Sequence, residues 1–405
     1  MVYSAFNSLL YFGVLYYYYI KYKTIDAYFM IMAAFTFVAF MCMCNEISTP
    51  NAYPNTTLLP YIYMFMCLLL FLAPYRGMKI GRQLNVIENR PIKILTWIYI
   101  LSGFVAIWYT LPEAMELIRS GEWGMLRHML YTDEDSIELY HSVPERLAKN
   151  IHSYLEPFGI IMCFFWLSQK RKRPFVIICA FISYIGCAFL SATLVASRGM
   201  VINFMLQLTL SYLIFKDFIS KKVKRIAGFF AILLTIPLIA YILAVSVSRF
   251  GEDGASSSAF DYLGHSMLNF NQGVMGTMHD YAYGRYFFSY IIKMFGGNSV
   301  INLKSLGYTG GSGFYTFIGD FYIDFGPIGT FLLALVVSIF LRHFTKKANK
   351  KLSDLVLIVF FANYFMTGVF VIGSGSALSW IMCGVVYLIV RNAENYSVRV
   401  SRRLT

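Results

Sequence analysis

Charge is what this chain is short of. Only 14% of its 405 residues are Asp, Glu, Lys or Arg, against 58% apolar, and the mean hydropathy is +0.60. So little charge cannot coat a soluble globule of this size, which excludes a water-soluble enzyme and points to an all-α polytopic integral membrane protein. The six histidines show no HExxH-type spacing, so nothing in the sequence calls for a metal, and no cofactor is implied. The seven cysteines, at 42, 44, 67, 163, 179, 187 and 383, all fall in apolar runs, where they pack as small hydrophobes instead of bridging. The first apolar run, 3–20, lacks a basic leader and a small-residue cleavage site and reads as a retained helix. Internal repeats and nucleic-acid motifs are also missing.

What is present is a series of apolar runs. A membrane-spanning helix needs about 20 mainly apolar residues, and that measure predicts eleven spans: 3–20, 26–44, 57–74, 92–111, 151–168, 174–196, 199–215, 227–247, 314–341, 355–371 and 377–390. Basic loops resist translocation, so lysine and arginine positions set the orientation. One set of loops and the tail hold 25 of the 34 basic residues. The other nine, among them Arg127, Arg198, Arg249 and Arg285, fall on the opposite side. That split predicts an amino terminus outside, a carboxyl terminus in the cytoplasm, and one membrane domain over 1–405. It also makes the net charge of +13 a topology signal with affinity for anionic lipids, giving no case for nucleic acid.

Two long connections lie on the outer side, 112–150 and 248–313. In the first, Pro112 reads as the start of a helix that Gly121 ends, and Arg127 stands among apolar neighbours in an otherwise acidic, solvated stretch. The second opens at VSVSRFGEDG with Arg249 and Glu252, continues through His279, Asp280 and Arg285, and is too long and apolar to be a plain connector. Between spans six and seven, Arg198 either snorkels to lipid phosphate or points into a cavity where its planar fork binds a ligand phosphate.

The segment 307–341, GYTGGSGFYTFIGDFYIDFGPIGTFLLALVVSIFL, carries two acids in an apolar run. An acid at the centre of a membrane helix costs roughly 2.5 to 3.5 kcal/mol on insertion scales, so Asp320 and Asp324 require a function or a position near the interface. Their spacing of four puts them on one helix face, and Gly326-Pro327 predicts a break just beyond, leaving 314–325 as a half-helix. On this reading both acids face the two outer loops.

Together, the many spans, the Ser197-Arg198-Gly199 hairpin, Arg249 at a span exit, a large outer loop and the run Gly319, Asp320, Tyr322, Asp324, Phe325, Gly326, Gly329 resemble the oligosaccharide repeat unit polymerases, the Wzy-type O-antigen and capsule polymerases of bacteria. GEWGMLR in the first outer loop also looks like that family's pattern of Gly, an acid, then Arg. The likeness covers most of the chain in layout and about 30 residues in motif; the family more often has glutamate at the Asp320 position. It implies a GT-C-like architecture in the bacterial inner membrane and substrates that are glycans linked through diphosphate to a polyprenol. It leaves room for a partner protein that regulates chain length. In such an enzyme Arg198, Arg249 and Arg285 would bind diphosphate without a metal, and Arg127 a second phosphate or a sugar. The base would be His279, Asp280, Glu252 or Asp320. Tyr322 would stack on sugar or merely pack, and Asp324 would orient the arginines. Two alternatives share the layout: a ligase that hands the glycan to another acceptor, and a transporter or flippase.

Overall fold

The computed structural model describes residues 2–49, 52–78, 90–121, 123, 142–169, 173–298, 300–310 and 314–404, the side chains of 230–234, 249–262 and 397–404 excepted. Among these residues there is no strand. The helices are α1 (Val2–Tyr22), α2 (Ala27–Ser48), α3 (Leu58–Leu72), α4 (Arg90–Ser120), α5 (Val143–Tyr154), α6 (Glu156–Ser168), α7 (Pro174–Leu194), α8 (Arg198–Phe215), α9 (Lys221–Asn269), α10 (Ser289–Met294), α11 (Thr316–Thr345), α12 (Leu352–Thr367) and α13 (Ser376–Leu404). Hydrocarbon offers backbone groups no partners, so long apolar runs close their hydrogen bonds within a helix. Seven of the described helices are long and apolar enough to cross a membrane: α2, α3 with its 3-10 extension, α4, α7, α8, α11 and most of α13. The chain is therefore a polytopic, all-helical protein of membrane character. Helix α6, the 235–248 stretch of α9 and α12 are apolar but shorter.

Starts and stops follow local chemistry. Asp26 caps α2 by accepting from the Phe29 amide at 3.0 Å, and Ser197 caps α8 by accepting from Met200 at 3.3 Å. Gly121, at φ +68, ends α4. Two expectations need correcting. Pro112 does not start a helix; it lies inside α4, which runs unbroken from the predicted span to Ser120. Membrane helices tolerate such prolines because neighbouring groups re-satisfy the freed carbonyl. Likewise α9 does not stop near Ser248 but continues to Asn269, carrying Arg249 and Glu252 within it. Isolated glycines such as Gly251 and Gly254 weaken a helix without ending it.

The chain divides into two compact units. The first comprises 1–81, 256–350 and 360–384; the second comprises 82–255, 351–359 and 385–405. With lipid tails as apolar as leucine, packing and hydrogen bonds hold such helices together. In the first unit an aromatic cluster does the packing: Phe317 lies 5.1 Å from Phe71 and 5.3 Å from Phe365, and Phe287 lies 5.3 Å from Trp380. In the second unit Trp123, Ala192, Val201, Phe204, Tyr241 and Val245 form a core, and the Tyr241 hydroxyl donates to the Ala192 carbonyl at 3.1 Å.

The predicted break in α11 is present. Gly326 sits at φ 65, ψ −173, which splits the helix into a half-helix from Thr316 and a second stretch from Pro327. Every residue from Thr316 to Asp324 is buried. The first amides of the half-helix, which have no partners within it, donate elsewhere: Thr316 to the Phe370 carbonyl at 2.6 Å and Phe317 to Gly368 at 2.7 Å. Only glycine tolerates the Gly326 conformation, and a Cβ there would also lie 2.9 Å from the Tyr281 ring. Gly326→Ala is expected to cost about 1–3 kcal/mol, lowering the thermal unfolding temperature in detergent. An unchanged transition would show that the kink is not required.

Candidate functional site

In the first unit the structure brings together six of the predicted residues around the α11 half-helix: Asp320, Tyr322, Asp324, Asp280, Arg285 and His279. Both acids are buried within the protein. Asp320 is 3% exposed and Asp324 0%. Among the described residues neither carboxylate makes an ion pair; each takes backbone N–H groups from a turn distant in sequence. Asp324 Oδ1 accepts from the Tyr286 amide at 3.0 Å and Oδ2 from the Phe287 amide at 2.6 Å. Its backbone carbonyl accepts from Tyr283 at 2.8 Å, and the carbonyl of Ile323 accepts from Ala282 at 2.8 Å. The 282–287 turn is thus fastened to the half-helix at four points. Asp320 Oδ2 accepts from Ile372 at 2.9 Å and Gly373 at 3.3 Å, which ties down the turn after α12. Among the described residues Asp320 Oδ1 has no hydrogen-bond partner; the neighbouring Tyr286 hydroxyl is bonded to that of Tyr315 at 2.7 Å.

Just outside this buried staple stand three exposed groups. His279 donates its backbone N–H to the Leu306 carbonyl at 3.2 Å, and its ring lies against Gly307. At φ +91 Gly307 is left-handed, and a Cβ there would fall 2.3 Å from His279 Nδ1, so the glycine-rich lead-in to α11 is a close-approach loop. Asp280 Oδ1 accepts from the Tyr281 amide at 2.8 Å and the Tyr283 hydroxyl at 3.0 Å. Those bonds, the Tyr281 amide first, hold its pKa below the usual carboxylate range, with His279 and Arg285 as neighbours that lower it further. Arg285 is exposed, its Nε donating to the Ala282 carbonyl at 3.2 Å. The 282–287 turn therefore carries Arg285, and the segment leading into it carries His279 and Asp280.

Tyr322 is 5% exposed and lies edge-on among Tyr63, Phe270 and Tyr281, with ring centroids 5.8 to 5.9 Å away. It packs the cluster from inside, which leaves its ring faces no room to stack on a sugar. In the second unit Arg198 begins α8 and is buried, 8% exposed, its Nη1 donating to Ser246 Oγ on α9 at 2.8 Å. The buried position goes with the inward reading of Arg198 and against a side chain snorkelling to lipid. Ala196, at φ 46, turns the chain tightly enough to direct it there. Arg249 and Glu252 belong to α9, but their side chains lie outside the described residues, as does the whole of Arg127.

Sequence reasoning missed Ser246, Tyr286, Tyr315 and the turn amides. Tyr286 and Tyr315 carried no signal among 31 tyrosines, and every residue but proline has an amide. Compared with known proteins, the chain matches no family model, no curated protein and no solved structure.

Proposed function

We propose that this chain is a membrane glycosyltransferase that polymerises polyprenyl-diphosphate-linked oligosaccharide repeat units. The observation that carries the reading is the exposed His279, Asp280 and Arg285 group, held on and just before a turn that buried Asp324 fastens to a half-helix. Transfer without a metal needs a rigidly placed proton acceptor beside a cation for the leaving diphosphate. The acceptor hydroxyl attacks the anomeric carbon, its proton passes to the base, and the bond from that carbon to the diphosphate oxygen breaks. The electron pair leaves with the diphosphate.

His279 is the better base. Asp280 is held charged by two donors and so accepts a proton weakly, which leaves the His279 ring nitrogen as the other acceptor in the group. Arg285 supplies planar donors suited to diphosphate oxygens, and Arg198 carries the same fork within the second unit. On this reading the eleven predicted segments cross the bacterial inner membrane in a GT-C-like arrangement, with the amino terminus outside and the site on the outer face.

Lipid-linked glycans from a strain lacking the chain test the proposal. Single repeat units on the outer-leaflet carrier are expected. Full-length polymer retained on the carrier would indicate a ligase, and units trapped in the cytoplasmic leaflet a transporter. His279→Ala reintroduced into that strain is expected not to restore polymer.

A further inference from the structure

The second unit holds a cavity of about 440 Å³ between α4, α5, α6, α7 and α8, lined by none of the candidate site residues described above. That volume falls in the range of small-molecule sites, roughly 300 to 1,000 Å³. Its lining is polar for a chain of this composition: Lys149, Asn150, Glu156, Tyr184, Asn203 and Gln207 all contribute. Polar side chains among membrane helices mark ligand or water pathways unless they satisfy one another, and Asn203 and Glu156 keep unsatisfied groups.

Asn203 Oδ1 is buried without a hydrogen-bond partner among the described residues. The Tyr184 hydroxyl donates to Gln207 Oε1 at 2.7 Å, which fixes the amide and leaves its nitrogen as a donor. Glu156, at the start of α6, makes no hydrogen bond or ion pair among the described residues. Lys149 is matched by Glu145 at 2.5 Å, so among the described lining residues Glu156 is the acid without a partner.

That combination selects its occupant. An anion would find the lining cation Lys149 already matched by Glu145, and an apolar ligand would strand the amides at a cost of about 1–3 kcal/mol for each group left unpaired. A ligand whose groups both donate and accept satisfies all of them. We propose that this cavity binds a neutral sugar ring, its hydroxyls bonded by Glu156, Asn203 and Gln207, as a subsite for one residue of a glycan. The source of that ring rests on the glycosyltransferase reading; the choice of a neutral, hydroxyl-rich ligand rests on the cavity alone.

Saturation-transfer NMR on the full chain in detergent micelles tests it, with glucose, galactose, N-acetylglucosamine and rhamnose as separate probes and glucuronate as the anionic control. At least one neutral sugar is expected to bind, glucuronate at least tenfold more weakly. Two near-isosteric variants, Glu156→Gln and Tyr184→Phe, are each expected to weaken that sugar's binding about tenfold at an unchanged unfolding temperature. If one variant unfolds, the other decides. Binding of none of the four neutral sugars, equal binding of glucuronate, or unchanged affinity in the folded variants overturns the proposal. Because the readout is binding, a deletion strain that still makes polymer would sink the polymerase reading and leave a positive result here standing.

Discussion

Asp324→Ala is expected to lower the stability of the protein by about 3–5 kcal/mol, since two buried amides lose a charged acceptor and each orphaned group costs on the order of 1–3 kcal/mol. The side chain is fully buried, and its two bonds, at 3.0 and 2.6 Å, are what fasten Tyr286 and Phe287 to the half-helix. Truncation also leaves a void beneath Phe287, a ring packed 6.1 Å from Phe325 and 5.8 Å from Phe321. Asn is a poor substitute, because its NH2 would face one of the two amide donors. Asp324→Asn is therefore expected to lose somewhat less stability than Ala without restoring the site. The half-life of the folded state in detergent at raised temperature reads both effects, membrane proteins often unfolding irreversibly. A half-life equal to that of the unsubstituted protein would show that the turn holds its place without the carboxylate.

Arg198→Ala is expected to abolish polymer formation in cells while the protein remains in the membrane. Removing one donor positioned at a developing charge costs on the order of a hundred- to a thousandfold in rate. Folding is spared for a specific reason. Ser246 Oγ, which accepts from Arg198 Nη1, also donates to the Ile242 carbonyl at 2.6 Å, so losing the arginine does not strand it. Lysine keeps the charge but not the fork, and Arg198→Lys is expected to fall between the two. Ser246→Ala keeps the cation and loosens its aim, so only a several-fold drop is expected. Long glycan chains from Arg198→Ala cells, with normal protein levels, would remove this residue from the diphosphate contact.

What could be read ahead of the structure divides along physical lines. The helical segments were legible because hydrocarbon forces long apolar runs to satisfy their backbone internally, a property of composition along a short window. The kink at Gly326 was legible because a Gly-Pro pair within an apolar run breaks a helix whatever packs around it. The extents of α4 and α9 were not legible. Proline breaks helices strongly in water and glycine weakly, but whether a membrane helix survives Pro112 or the glycines after Ser248 depends on the packing it meets.

The site shows the same division more sharply. Two acids in an apolar run announced themselves through the cost of burying them, but their partners did not. Arginines on the outer side were the visible candidates, whereas Asp320 and Asp324 accept from the backbone amides of 286–287 and 372–373. The polar cavity beside Glu156 was equally hidden, its residues being scattered over five helices with no shared spacing. By itself, then, the sequence determined the all-helical membrane character, the kink and the presence of unusual buried charge, because each follows from local composition. Only the tertiary structure decided that the acids staple turns, that Arg198 points inward and that His279, Asp280 and Arg285 meet, because those depend on which distant segments fold against one another.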